Sequence, residues 1–169
     1  MQQARCAPVH AGEQRAWLFD AGFDGDFDRF FAGQVNGVAG AAVGDGLYIN
    51  LARRSGGSRV TISLCSGEPT LNGDWEDIVE VSVTVPRGAQ PRWLTWAVEE
   101  TGALALPTGE YRVRVSARGR DAGAAGEFED TTVDFYLVES WPADDQPDAV
   151  VRVGSADATY WHGEVGGRR

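Results

Sequence analysis

The sequence is poor in the residues on which most recognisable chemistry depends. Among 169 residues there are two cysteines, two histidines and no lysine. Cys6 and Cys65 form no CxxC pair and belong to no Cys/His cluster, so no zinc site is expected, and no other metal or cofactor. Without lysine, the glycine-rich stretch GVAGAAVGDG lacks the GK[ST] ending of a phosphate loop. His10 and His162 sit in no nucleophile motif and GxSxG is absent, so no hydrolytic triad is in view. A Cys65–His162 thiol–imidazole pair is formally available, but Cys65 ends an apolar strand-like run, a poor place for a nucleophile. No run of about 18 apolar residues occurs, and the opening MQQARCAPVHAGEQRAW contains no apolar stretch of leader length. A cytoplasmic protein that neither spans nor binds a membrane is the expectation. Cys65 is expected to be buried and Cys6 incidental, with a single disulfide as the alternative.

What is abundant is negative charge. The net charge is −10 and the isoelectric point near 4.6. Such a chain repels phosphate backbones on average, which argues against nucleic acid as a partner. It suits a basic protein. Twenty-five acids make some carboxylate pair inevitable, and nothing singles one out as glycosidase-like. Asp24, Asp26 and Asp28 are interleaved with phenylalanine and followed by no ligating glutamate, so calcium is not expected.

The pattern along the chain is that of strands. Residues 1–15 read as a loose tail, 16–162 as one domain and 163–169 as a second tail. Phe23, Phe27, Phe30 and Phe31 fit one face of a short helix near 23–31. GLYINLA and RVTISLC alternate and are joined by RRSGGS, which predicts a hairpin with Leu47, Ile49, Leu51, Val60, Ile62 and Leu64 on one face. Val79, Val81, Val83 and Val85 repeat at period two. RWLTWAV and ALALP read as short strands. In GEYRVRVSARGRD, Tyr111, Val113 and Val115 face one way and Arg112, Arg114 and Arg118 the other, with Arg120 in the loop beyond Gly119. The arginine row predicts a solvated charge ladder with an acid of a neighbouring strand, Glu76, Glu80 or Asp134. TTVDFYLVESW carries bulk on both faces, so it is central or covered on both sides. AVVRVGS is a last short strand. Many short alternating runs with little helix predict an all-β, antiparallel two-sheet β-sandwich.

Six tryptophans are many for this length. Most are expected to pack in the core or at its rim. Trp141, Tyr160 and Trp161, beside loops, are the candidates for an exposed aromatic cluster, with His162, Arg118 and Arg120 as accompanying ligand contacts. Asp144, Asp145 and Asp148, in the loop WPADDQPD, are the candidate acidic contacts to a protein.

The order of a valine strand, a WLTW segment, an LALP strand and then LPTGEYRVRV resembles the ComJ-like competence-nuclease inhibitors, small β-sandwich proteins that bind a DNA-entry nuclease. That resemblance runs from Val79 to Glu139, and an earlier hairpin falls in the corresponding place. It implies the fold and a role as an acidic binder of another protein. It transfers no functional residue, since WPADDQPD, ATYWH and the arginine row lie outside the pattern. The expected function is therefore a non-enzymatic protein-binding module, an inhibitor or immunity-type partner of a basic protein such as a nuclease or toxin. The alternatives are a carbohydrate or small-ligand module and an enzyme of unrecognised type.

Overall fold

The computed structural model describes residues 4–12, 16–18, 26–44, 46–54, 56–95 and 101–166. Phe23 and Trp96 lie outside them. Strands dominate. One sheet takes β1 (Cys6–Gly12), β5 (Arg59–Cys65), β6 (Asp77–Val85), β9 (Gly109–Arg118), β10 (Phe135–Pro142) and β11 (Ala149–Arg152), in the spatial order β1-β5-β10-β9-β6-β11. A smaller sheet takes β2 (Ala16–Leu18), β3 (Ala39–Gly40), β4 (Gly46–Ile49), β7 (Arg92–Leu94) and β8 (Thr101–Ala103), in the order β3-β4-β2-β7-β8. The helices are α1 (Phe27–Phe30), α2 (Arg120–Ala125) and α3 (Ala156–Gly166).

The core forms where the alternation placed it. Val79, Val81, Val83 and Val85 of β6 pack with Val113, Val115 and Ala117 of β9, and with Val60 and Ile62 of β5. Leu47 and Ile49 of β4 belong to the same cluster. The shared face of the two runs is thus as read, but the hairpin is not. The strand β4 pairs with β2 and β3, whereas β5 pairs with β1 and β10. The two strands therefore lie in different sheets. Alternation reports which face is buried, and two strands facing one another across a core alternate just as two paired neighbours do.

The larger sheet is mixed, which corrects the antiparallel expectation. The strand β10 runs parallel to β5 and antiparallel to β9, and is central in the sheet, one of the two placements its bulk implied. Three boundaries also move. Residues 6–12, read as loose tail, form β1 against β5. Cys6 sits opposite Cys65 and is disulfide-bonded to it. ATYWH is helical, and α3 extends past 162 into the segment read as a tail. The loop after Arg118 contains α2. Helix α3 has a strong start. The Ser155 hydroxyl accepts from Ala158 N–H at 3.0 Å and donates to buried Asp77 at 2.6 Å, and Asp121 accepts from the N–H groups of Ala156 and Asp157.

The arginine row is a ladder, as predicted, but not a solvated one. Glu80 lies opposite Arg114 in the β6–β9 register, bonded to it at 2.8 Å and to Arg112 at 3.3 Å. Both guanidinium groups are buried: the chain at 68–69 meets Arg114, and Arg112 donates to the Gln146 carbonyl. Arg114 also donates to the Pro69 carbonyl and pairs with Glu68.

Candidate aromatic cleft

A cleft of about 790 Å³ opens between α1, α3, the strip 48–54 and the loop after α2. Its floor is fixed by backbone bonding. Asn50 N–H donates to the Val38 carbonyl, Arg120 donates to the Asn50 carbonyl at 2.8 Å, and Ala52 N–H donates to the Tyr136 hydroxyl at 2.9 Å. Burial pushes the Tyr136 phenol far above its ordinary range, so it stays protonated and donates in turn to Asp134.

One wall is a continuous row of rings. Tyr160 meets Trp161 at 5.2 Å between centroids, Trp161 meets Phe27 at 5.3 Å, and Phe27 meets Tyr48 at 5.9 Å. These separations are those of packed aromatic pairs. Tyr160 is 59% exposed at the mouth. Helical geometry sets the row, since α3 offers Tyr160 and Trp161 consecutively while α1 brings Phe27 against them. A glycine makes the closeness of α3 possible. A Cβ on Gly37 would collide with the Trp161 carbonyl oxygen, and Gly37 N–H donates to His162 Nδ1 at 3.0 Å.

Two charged groups of the cleft, Asp157 and Arg53, are held in ion pairs. Asp157 accepts from Arg120 Nε at 2.9 Å; burial raises its carboxyl pKa, opposed by the Arg120 charge and by the Trp161 indole. Arg53 pairs with Asp134 at 3.0 Å, both side chains fully buried. At the rim, Glu127 accepts from the Arg54 backbone N–H.

The sequence-based candidates are distributed unevenly. Tyr160 and Trp161 line the cleft. Trp141 does not: it is 5% exposed, with the Arg114 guanidinium 5.1 Å from its ring centroid. Arg120, read as a loop residue open to ligand, is the first residue of α2 and fully buried. Gly119 before it has φ +75, and a Cβ there would meet the Val133 carbonyl, so the chain turns sharply inward. Arg118 is exposed, its guanidinium over Phe135 and Trp75. His162 faces the 36–37 turn as a neutral acceptor. Desolvation, then Arg120, holds its pKa down against the pull of Asp77 and Asp148.

Asp144 and Asp145 are exposed, as a contact role requires. Asp148 is not free for one. Its carboxylate accepts from Val35 N–H, Asn36 N–H and the Asn36 side-chain amide, each at 2.8–2.9 Å. Removing it leaves fully buried Asn36 short of partners. Asp148→Ala should therefore lower the unfolding free energy by about 2–3 kcal/mol. Asp144→Ala and Asp145→Ala should stay within about 0.5 kcal/mol of the parent. Denaturant titration of the three variants checks this, and equal stabilities would remove the structural assignment of Asp148.

Sequence reasoning missed Phe27 and Tyr48 as cleft residues, Asp157 as the partner of Arg120, and Glu127. The phenylalanine spacing pointed to α1, but nothing local joins α1 to α3. Among the described residues no helix is long and apolar enough to cross a membrane. No protein-family model and no curated protein matches the chain. A solved structure named crocagin biosynthetic gene J is similar over 85% of this chain and 100% of its own, at 17% identity and a TM-score of 0.47.

Proposed function

We propose that this protein is a non-enzymatic binding module whose aromatic cleft anchors a segment of a basic protein partner. The observation that carries the reading is the unbroken row Tyr160–Trp161–Phe27–Tyr48 along a cleft of about 790 Å³. Aromatic faces accept guanidinium groups and flat apolar side chains. A net charge of −10 favours encounter with a cationic protein. This is the partner that the resemblance to nuclease inhibitors implies, and Asp144 and Asp145 are exposed on a separate loop as further contacts. Binding is favoured over catalysis because the described residues that line the cleft include no serine, threonine, cysteine or histidine, and its acid Asp157 is engaged by Arg120.

A second reading, a sugar ring stacked on Tyr160, is favoured by the ion pairs that hold Asp157 and Arg53 in the cleft. Salt separates the two. Affinity capture from the source proteome at 50 mM salt should recover basic proteins and lose most of them at 500 mM, where the Debye length falls to roughly 4 Å. A glycan-array hit that persists at high salt, with no basic protein captured, would replace the first reading by the second.

A further inference from the structure

The disulfide stands beside an uncommitted acid. Cys6 lies on β1, at an edge of the larger sheet, and is exposed, while Cys65 is 2% exposed. On β10, which neighbours β5, Glu139 places a carboxylate oxygen within 4.8 Å of both sulfurs. Among the described residues, that carboxylate makes no ion pair and no hydrogen bond. The cation facing it is Arg114 of β9, whose guanidinium is already shared between Glu80 of β6 and Glu68. Burial raises the Glu139 pKa, opposed by Arg114.

A disulfide that only staples an edge strand needs no such neighbour. One that opens does, on the buried side. A thiolate released at Cys65 would form in a largely desolvated position, where the charged form is disfavoured. A carboxyl group this close can supply the proton, through one intervening water, as the bond breaks and accept it back when the bond re-forms. The exposed sulfur is the one an external thiol can reach.

We infer that Cys6–Cys65 is a thiol–disulfide exchange centre, with Cys6 as the attacked sulfur and Glu139 as the proton donor and acceptor for Cys65. A thiolate of an external dithiol bonds to Cys6 Sγ. The Cys6–Cys65 bond breaks, and its electron pair goes to Cys65 Sγ, which takes the proton of the Glu139 carboxyl. The second thiolate of the dithiol attacks the dithiol sulfur of the mixed disulfide and releases Cys6 as a thiolate, protonated from solvent. The protein gains two electrons and two protons, and the dithiol becomes a disulfide. Glu139 is reprotonated from water. Reduction removes the covalent tie between β1 and β5 and leaves their backbone pairing.

The test uses the full chain, dithiothreitol as the dithiol, and maleimide mass shifts to count thiols, with circular dichroism to confirm the native state. The parent protein should be reduced without unfolding. Glu139→Gln, which preserves shape, should slow reduction about 100-fold. Glu139→Asp, a shorter acid, should fall between the two and keep a pH-dependent rate that Glu139→Gln lacks. Opening only in denaturant overturns the proposal. So do equal rates for the parent and whichever of the two variants folds.

Discussion

Asp134→Ala should lower the unfolding free energy by about 3–5 kcal/mol, the cost of stranding a buried charge. For a chain of this size that is a fall in Tm of roughly 6–20 °C. The partner left behind is Arg53, and both side chains are at zero exposure. Arg53 has no route to solvent, because it also donates to the Gly126, Glu129 and Thr131 carbonyls and to Ser58. Asp134 accepts from Ser58 at 2.7 Å and from Tyr136 at 3.0 Å, so its loss unpairs two hydroxyl donors as well as the cation. Replacing both charges, as Arg53→Met with Asp134→Leu, removes the stranded charge and should recover part of the loss. Full recovery is not expected, since three carbonyls then lose their donor. Denaturant unfolding of the two single variants and the double variant measures the coupling. A change under about 1 kcal/mol for Asp134→Ala would mean that water reaches this pair. The same arginine holds the loop that carries Glu127, so the variant should also loosen one wall of the cleft.

How far the sequence disclosed this structure depends on the distance over which each feature is determined. Faces are set locally, so Val79 to Val85, Tyr111 to Ala117 and the Leu47/Ile49 and Val60/Ile62 pairs all bury as their alternation implied. The partner of the arginine row was within reach too, since β6 and β9 both show a polar face and Glu80 is one of three acids available to it. Strand neighbours are another matter. Residues 59–65 lie beside 135–140 in parallel, and no turn signal can report a pairing between segments so far apart in sequence. Burial of polar side chains is equally non-local. Arg120 is covered because Asp157 and the Asn50 carbonyl meet it from 37 and 70 residues away, and Trp141 because Arg114 of the neighbouring strand lies over its ring. Helix α3 had a readable start in Ser155-Ala156-Asp157, but its apolar positions are too sparse to mark a helical face. The cleft was half legible for the same reason: Tyr160 and Trp161 stood out by composition, whereas Phe27, Tyr48 and Glu127 join them only through the tertiary fold.

Tyr160→Ala should weaken binding of the partner by about 30-fold or more, the effect of losing an aromatic anchor of roughly 2 kcal/mol. Its effect on stability should be slight, because the ring is 59% exposed and touches the protein through the edge-on contact with Trp161. Trp161 is a poorer probe, since it packs on Phe27 and its removal would disturb both helices. Tyr160→Phe separates the ring from its hydroxyl. Retained affinity assigns the energy to stacking, and a loss equal to that of alanine assigns it to a hydrogen bond. Glu127→Gln adds the electrostatic axis. If the ligand is a cationic segment, this variant should bind a few-fold more weakly and show a shallower salt dependence, because one carboxylate at the rim no longer attracts it. If the ligand is a neutral sugar, Glu127→Gln should leave the salt dependence flat while Tyr160→Ala still abolishes stacking. Titrating the four proteins with arginine-containing peptides and with the best glycan, at two salt concentrations, resolves the two cases. Unchanged affinity in Tyr160→Ala for every ligand that binds the parent would place recognition elsewhere than the aromatic row, with the exposed loop at Asp144 and Asp145 the next surface to test.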